Sequence, residues 1–492
     1  MLTATACADL RATCGAADYT VDGVIAAIGT EAHRALGRNS TVPAERALAG
    51  RDDPLATMIT LFLLQLPVER GAVITAFPGL VDTMIDSGLL GSADGSVRAL
   101  LDLRPYATDE AGPYWVVSDL TPGMDTVITP IRPDYVLGVS SASTTLAQLT
   151  VRRPIGRALD LGTGCGVQTL HLDGHADQVI ATDLNPRALE LARLTLLIND
   201  VEAELRPGDL LQPVAGERFD LIISNPPYVM APPTTAGRRL TYREGDRSAD
   251  GLVEELVRAA PTHLTEGGIC QILANWAHPA VGSETWADRL AGWVDGCDAH
   301  VVQREVLDPG EYVELWLADA GQSGKPGYRS AYADWLDYLA ALDITGIGMG
   351  WITLRRTDAT PEVTVEEWPH PIEQPIGPAI ATRLDHVGTL RELPDSELLG
   401  RHWVVAADVG EESLADPGGA DPRHIVLRQE RGFRRAVEAD TALAGVVGAC
   451  DGELPLGRIV DAVATVLEID SIDLRAELMP RLRDLIRDDF LR

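Results

Sequence analysis

Hydrophobic and polar positions divide the chain into four stretches with different periodicities. Residues 1–119 place apolar side chains at helical spacing and end in two alternating segments around "GSADGSV", which predicts helices and a small hairpin, as in a winged-helix domain. Residues 120–356 contain short apolar runs separated by amphipathic stretches. Residues 357–381 are acidic and rich in proline, which indicates a linker. Residues 382–492 predict a second small domain, helical or winged, with some strand.

The stretch 120–356 has the periodicity of a parallel sheet covered by helices. The apolar runs "RALDLG", "QVIATD", "AELRPGD", "FDLIISN", "GICQILAN", "YVELWL" and "GIGMGWITLRR" are each predicted to form a strand. Segments such as "PRALELARLTLLIND" separate the first of these runs and are predicted to be helices. The fold class is therefore α/β, with seven strands in one sheet.

Composition places the chain among ordinary globular proteins. It has 492 residues, 46% of them hydrophobic, and a mean hydropathy of +0.03. The longest apolar run, "MITLFLLQLPV", is interrupted by Gln65 and Pro67, and the first residues lack a basic start followed by a long apolar core. We therefore expect neither a membrane span nor a secretion signal, and we expect the protein to be cytoplasmic.

Charge and metal-ligand residues narrow the classes of partner. The formal net charge is −32, which disfavours tight binding to a phosphate backbone without excluding a local arginine patch. Six cysteines are scattered without a CxxC pair, which is typical of reduced thiols. His171 and His175 have the i, i+4 spacing of a helix, but Asp173 and Asp177 lie beside them, so we expect solvated histidines and no metal site.

Glycines follow directly after the first predicted strand of the sheet. In "ALDLGTGCGVQTL" the strand ends near Asp160, and Gly162, Gly164 and Gly166 come before a helix. Glycines allow a tight turn and let the backbone approach a ligand that a Cβ atom would block. A glycine turn alone is equally compatible with a purely structural role.

Two further carboxylates occur at the ends of the next two predicted strands. Asp183 ends "QVIATD" about 20 residues after the glycine turn, where an acidic residue can accept both ribose hydroxyls of an adenosine. Asp209 follows the next run. Because parallel strands end at the same edge of a sheet, we expect these carboxylates to lie close to the glycine turn.

The segment "ISNPPYV" ends the fourth predicted strand with a group of hydrogen-bond acceptors. Asn225 offers a side-chain oxygen, and the carbonyl of Pro226 is followed by Pro227, which has no N–H to compete for it. Together they can accept two hydrogen bonds from a planar NH2 group, and Tyr228 can stack on its face. Acceptors held on those hydrogens favour the more nucleophilic, pyramidal nitrogen as the transition state develops.

The motifs "DLGTGCG", "TDLNP", "GDLL" and "NPPY", in this order, resemble those of class I S-adenosylmethionine-dependent methyltransferases, in the branch that methylates amino groups. That branch includes release-factor glutamine methyltransferases and the adenine-N6 and guanine-N2 methyltransferases of DNA and RNA. The resemblance covers roughly residues 132–356. It implies a Rossmann-like seven-stranded sheet and S-adenosylmethionine as the cofactor.

The resemblance also implies roles for individual residues. Around the methionine part of the cofactor it places Asp160, Gly162, Gly164 and Gly166; at the ribose, Asp183; and beside the adenine, Asp209 and Leu210. It implies that the target nitrogen is held by Asn225, Pro226, Pro227 and Tyr228. "PIRPDYVLG" and "SSASTTL" correspond to a segment that closes over the cofactor, which makes Thr144 a further candidate. "GDRSADGL", residues 245–252, is loosely similar to a segment of the glutamine methyltransferases.

Four hypotheses about the function remain open, three of which differ in the methyl acceptor. The preferred one is a protein, most simply a glutamine side-chain amide, because the acidic chain is repelled by nucleic acid over long range. The alternatives are an RNA or DNA base, a small molecule, or a protein that only senses the cofactor. Asn275 and Trp276, at the next strand end, either line the site or cap it.

Overall fold

The computed structural model describes residues 2–108, 112–127, 131–233, 247–280, 284–416 and 422–492. The chain divides into two compact units. One comprises Met1–Ala147 and Arg153–Trp368, and the other comprises Gln148–Arg152 and Pro369–Arg492. The domain boundaries near residues 119, 356 and 381 remain predictions.

The N-terminal part is helical and ends in short strands. Its elements are α1 (Ala4–Ala16), α2 (Val21–Ile28), α3 (Thr30–Leu36), α4 (Val42–Leu48), α5 (Pro54–Met58), β1 (Val68–Glu69), α6 (Arg70–Ala76), α7 (Val81–Asp86), β2 (Leu90–Ala93), β3 (Ser96–Ala99), β4 (Asp102–Tyr106) and β5 (Tyr114–Ser118). The hairpin predicted at "GSADGSV" is β2–β3. Asp94 and Gly95 form its turn with φ of 52° and 77°, the left-handed pair that a tight hairpin requires.

The elements that follow build the central sheet. They are α8 (Ser141–Leu149), β6 (Ile155–Leu161), α9 (Val167–Leu172), β7 (Ala176–Asp183), α10 (Pro186–Asn199), β8 (Glu204–Pro207), β9 (Phe219–Ser224), α11 (Gly251–His263), β10 (Leu264–Pro279), α12 (Trp286–Ala291), β11 (Cys297–Leu307), α13 (Pro309–Asp319), α14 (Tyr328–Ala341), β12 (Ile344–Arg356) and β13 (Val363–Glu367).

Among the described residues this sheet has eight strands, in the order β13-β11-β12-β10-β9-β6-β7-β8. Strand β12 is antiparallel to both of its neighbours, and all other pairs are parallel. The predicted α/β class is confirmed, with one strand more than expected. The additional strand, β13, lies inside the stretch predicted to be a linker.

One predicted strand is a helix. The run "YVELWL", residues 312–317, lies in α13 because Asp308 and Glu311 form a capping box and Pro309 occupies the first turn. The corresponding strand is β11 instead. Its pattern is obscured by buried polar residues that are paired with adjacent strands, such as Asp298 with Arg355 and His300 with Glu366.

The sheet positions a ligand site at one edge. The strands β6, β7 and β9 contribute largely buried side chains such as Leu159, Ile180 and Ile222. Because β8, β7, β6 and β9 are parallel neighbours, their carboxyl ends come together. In open sheets of this type, ligands bind at such an edge.

The C-terminal unit has its own hydrophobic core. Its elements are α15 (Gly377–Glu392), α16 (Asp395–Leu398), β14 (His402–Val404), β15 (Val409–Ala415), β16 (Pro422–Gln429), β17 (Ala436–Ala439), α17 (Thr441–Gly448), β18 (Asp451–Pro455), α18 (Leu456–Val466) and α19 (Ser471–Arg487). Strands β15, β16 and β17 form one sheet, and β14 pairs with β18. Buried Trp403, Leu478 and Phe490 belong to the core.

Neither a membrane span nor a metal cluster is found in the described part of the chain. No helix there is long and apolar enough to cross a bilayer. No three His, Cys, Asp or Glu side chains of the described ranges are grouped so that they could hold a metal ion. All six cysteines are buried and free.

Candidate functional site

A cavity lies at the carboxyl ends of β6, β7, β8 and β9. Its floor includes the glycine turn after β6, and one wall is formed by residues 135–138, which precede α8. Of the residues predicted to form the site, the cavity is lined by Gly162, Gly164, Asp183, Asp209, Leu210, Asn225, Pro226 and Pro227. The structure therefore brings together residues from four separate strand ends.

The glycine turn leaves open space where side chains would lie. Gly162 and Gly164 have φ of 78° and 57°, and a Cβ atom on either would meet no other atom within 4 Å. The N–H groups of Gly162 and Thr163 both donate to the carbonyl of Thr182 at 2.9 Å, which ties the turn to β7. The turn thus presents bare backbone to the cavity.

Gly166 has a different role from the first two glycines. It is outside the cavity lining, and a Cβ atom there would come within 3.3 Å of Ala192 in α10. Gly166 is the N-cap residue of α9 and has a φ of 85°. Gly166 therefore allows close packing of α9 against α10.

Asp160 lies behind the turn and is not part of the lining. It is 1% exposed, and its Oδ2 accepts hydrogen bonds from the hydroxyls of Thr163 at 2.6 Å and Thr169 at 2.7 Å. Burial raises the pKa of Asp160 to about 6, against the opposing effect of these two hydrogen bonds. Asp160 thus holds the shape of the turn from beneath.

Asp183 faces the cavity and is oriented by the backbone. Its Oδ2 accepts from the N–H of Gly164 at 2.9 Å, and its Oδ1 accepts from the N–H of Asn185 at 2.8 Å. Burial raises its pKa, and these hydrogen bonds oppose the shift. Each carboxylate oxygen has two lone pairs, so both can still accept from a diol.

Asp209 and Leu210 line the end of the cavity after β8. Arg247 also lines it and lies 3.2 Å from the Asp209 carboxylate. Residues 245 and 246 of the segment "GDRSADGL" are outside the described residues. Farther along that segment, the Asp250 carboxylate accepts from the N–H of Ala277 at 2.7 Å, so this residue supports the adjacent strand.

Asn225 carries an unsatisfied hydrogen-bond acceptor in the cavity lining. It directly follows β9, whose last residue, Ser224, donates through its hydroxyl to the carbonyl of Leu161 at 2.8 Å. The Oδ1 atom of Asn225 is buried and has no hydrogen-bond partner among the described residues. A buried acceptor without a partner is costly, and at a cavity wall it indicates a place for a ligand donor.

Tyr228 and Thr144 are not part of the cavity lining. The ring of Tyr228 packs edge-on against Trp316 of α13, with 6.4 Å between ring centroids. The hydroxyl of Thr144 donates to the carbonyl of Ser140, and the neighbouring Ser143 lines the cavity instead. Asn275 and Trp276 are also outside the lining.

The wall at residues 135–138 is held by a link that the sequence did not reveal. The Asp119 carboxylate accepts from the N–H of Val136 at 2.9 Å and pairs with Arg187 of α10. The side chain of Asn185 donates to the carbonyl of Asp134 at 3.0 Å. Asp119 and Arg187 are 68 residues apart, and no local motif marks such a pair.

The described groups fit S-adenosylmethionine. The bare glycine turn admits a ligand at a place that a Cβ atom would fill, and Asp183 retains acceptor capacity for two ribose hydroxyls. The unpartnered oxygen of Asn225 lines the same cavity, where it can accept a hydrogen bond from a second ligand. The individual roles of these residues remain proposals.

Comparison with known proteins identifies two segments. Residues 138–282 match the family described as "Methyltransferase small domain", and residues 16–100 match a "Domain of unknown function (DUF7059)". A "Ribosomal RNA small subunit methyltransferase C" of Haemophilus influenzae is 37% identical over 122 residues, which are 24% of this chain and 32% of the relative. The protein of the same name from Salmonella arizonae is 30% identical over 198 residues, 39% of this chain and 52% of the relative.

This chain thus spans about a third to a half of the length of these curated relatives. Among solved structures, the T. thermophilus 16S rRNA N2 G1207 methyltransferase is 19% identical, with 43% of this chain and 55% of that chain covered and a TM-score of 0.25. That structural likeness is too weak to bear on function. The family match thus assigns residues 138–282 to a methyltransferase domain that uses S-adenosylmethionine, the class that the motifs predicted.

Proposed function

We propose that this protein methylates an exocyclic amine of a base in ribosomal RNA, with S-adenosylmethionine as the methyl donor. The observation that carries this proposal is the buried, unpartnered Oδ1 of Asn225 in the cavity beside Asp183. The curated relatives, which are named as ribosomal RNA methyltransferases, favour the RNA-base alternative over the protein glutamine expected from charge.

Different residues of the cavity bind the methyl donor and the target base. Asp183 accepts hydrogen bonds from the two ribose hydroxyls, and the turn at Gly162 and Gly164 leaves space for the methyl donor beside the backbone. Asn225 accepts a hydrogen bond from the target NH2 group, and the carbonyl of Pro226 accepts the second. When bound, S-adenosylmethionine supplies an electrophilic methyl group.

These acceptors act on the nucleophile. The lone pair of a base amine is delocalised into the ring, so the nitrogen attacks poorly while it is planar. Two acceptors fixed on its hydrogens stabilise the pyramidal nitrogen more than the planar one, which lowers the barrier. They also hold the nitrogen in line with the methyl group. The methylated nitrogen is acidic and loses its proton after attack, so no base is required before it.

The net charge of −32 counts against RNA only over long range. Repulsion between an acidic protein and a phosphate backbone mainly slows association, whereas contacts inside the cavity decide which group reacts. The net charge is therefore compatible with an RNA substrate, which the names of the curated relatives favour.

The test uses the full-length protein with radiolabelled S-adenosylmethionine and a small-subunit rRNA transcript. We expect label in RNA that nuclease releases and protease does not, and digestion to nucleosides should yield an N-methylated purine. N2-methylguanosine and N6-methyladenosine would both support the proposal and would distinguish the base. Label that protease alone releases would overturn it in favour of a protein acceptor.

A further inference from the structure

Gln168, the second residue of α9, carries a second unsatisfied acceptor in the cavity wall. Its side chain is 5% exposed and lines the cavity. The Nε2 atom donates to the carbonyl of Ser143 at 2.7 Å, and this bond orients the amide. The Oε1 atom is buried and has no hydrogen-bond partner among the described residues. Burial without a partner disfavours this arrangement unless a ligand donor completes it.

The order of strands shows which part of the donor reaches Gln168. The donor has three parts in sequence: adenine, ribose and an amino-acid tail. The cavity is lined along adjacent strand ends by Asp209 after β8, Asp183 after β7, and the glycine turn after β6. With the ribose at Asp183 and the adenine toward Asp209, the tail extends to the turn. Gln168 lies two residues after Gly166, the last glycine of that turn.

The charge of the cavity lining indicates which group of the amino-acid tail donates a hydrogen bond to Gln168. The charged side chains in the described lining are Asp183, Asp209 and Arg247, and Arg247 is paired with Asp209. This leaves the lining with an excess of negative charge, which favours a cation. The α-ammonium group of the tail is a cationic donor, and a carbonyl oxygen is a suitable acceptor for it.

We infer that Gln168 is a binding residue for the methyl donor, whose Oε1 accepts a hydrogen bond from the donor's α-ammonium group. The inference rests on the proposed use of S-adenosylmethionine and adds a recognition group for the amino-acid tail. Ser143 is a positioning residue in this arrangement, because its carbonyl fixes the orientation of the Gln168 amide.

The test measures binding, in the absence of RNA, by titration calorimetry. The two ligands are S-adenosylhomocysteine and its analogue in which hydrogen replaces the α-amino group. We expect the wild-type protein to bind the amino ligand about tenfold or more tightly, as for a hydrogen bond to a charged group. In Gln168→Met, which keeps size and removes the acceptor, this preference should fall to about threefold or less, while affinity for the deamino analogue changes little.

Gln212→Met is the matched control, because Gln212 is exposed and outside the cavity lining. It should retain the wild-type preference. If Gln168→Met does not fold, Gln168→Leu supplies the test, since it also removes the acceptor and should also lose most of the preference for the amino ligand. A wild-type protein without the preference, or a folded Gln168→Met or Gln168→Leu protein that retains it, would each overturn the inference.

The outcome is separate from that of the RNA assay. If the calorimetry contradicts the role of Gln168, the wild-type protein can still bind the methyl donor and methylate RNA. Failure of RNA methylation with a preference that depends on Gln168 would reject the proposed acceptor alone.

Discussion

The two halves of the cavity differ in how their polar groups are paired. After β6 and β7, the carboxylates of Asp160 and Asp183 accept hydrogen bonds from the protein's own hydroxyl and N–H groups. After β9, the Oδ1 of Asn225 is buried with no such partner in the described structure. The two carboxylates are therefore oriented by the fold, whereas the Asn225 oxygen, like the Oε1 of Gln168, is left for a ligand donor to complete. Substitutions should therefore separate donor binding from methyl transfer.

The largest expected effect is on transfer, from Asn225→Ala. We expect kcat to fall about 100- to 1,000-fold, the scale for removing one fixed hydrogen-bonding group from a transition state. The Kd of S-adenosylmethionine should change less than about threefold. The Tm should not fall, because the substitution removes a buried acceptor without a partner. Kinetics, calorimetry and thermal unfolding measure the three quantities.

Asn275→Ala is the matched control for that variant. Asn275 lies in the next strand, outside the cavity, and its side chain donates to the hydroxyl of Tyr312 at 3.3 Å. We expect Asn275→Ala to lower Tm. At temperatures below its thermal unfolding transition, kcat should be nearly unchanged. Equal losses of kcat in both variants would contradict the role assigned to Asn225.

The next effect divides the glycines of the turn itself. Gly166→Ala forces a left-handed alanine against Ala192 at 3.3 Å, and we expect a loss of about 3 kcal/mol in the free energy of unfolding. Gly162→Ala meets open space, so we expect a smaller loss of about 1–2 kcal/mol, from backbone strain alone, together with weaker donor binding. Urea unfolding and calorimetry on both variants measure this contrast. The reverse pattern would show that the two glycines have been assigned the wrong roles.

A smaller effect is expected for Asp183→Asn on donor binding. Removal of the charge weakens two hydrogen bonds to ribose hydroxyls, so we expect the Kd of S-adenosylmethionine to rise about 10- to 100-fold. The kcat at saturating donor should change little. Asp173→Asn, at an exposed carboxylate after α9, serves as the control. An unchanged Kd in Asp183→Asn would remove the proposed ribose contact.

The smallest effect is the pH dependence contributed by Asp160. Its folded pKa of about 6 lies above the ordinary 3.8, so the folded state binds the proton more tightly than the unfolded state. This contribution to stability is fully present below pH 3.8 and is lost as pH rises through about 6. The difference in unfolding free energy between wild type and Asp160→Asn should therefore decrease by about 2 kcal/mol from pH 4 to pH 7.

Urea unfolding at a series of pH values measures this difference. Titrating groups that do not interact with Asp160 contribute equally to both proteins and cancel. A difference that stays constant across this range would show that Asp160 keeps an ordinary pKa in the folded protein.

Local sequence was sufficient for strand ends and insufficient for elements whose pattern depends on distant partners. The runs that precede Asp183 and Asn225 are mostly apolar and are followed by turn residues, so both strands were predicted correctly. The strand β11 carries Asp298 and His300, which look exposed in the sequence and are buried against Arg355 and Glu366. The run "YVELWL" reads as a strand although the capping box before it makes it a helix.

The sequence by itself determined the α/β class, the glycine turn and the acceptors that follow the strands, because each depends on residues close together in the chain. Tertiary structure alone decided which of these residues face the cavity. It placed Asp160 behind the turn, Tyr228 against Trp316, and Gln168 in the cavity wall beside Ser143. The physical reason is that the direction in which a side chain points is set by packing between segments far apart in the chain.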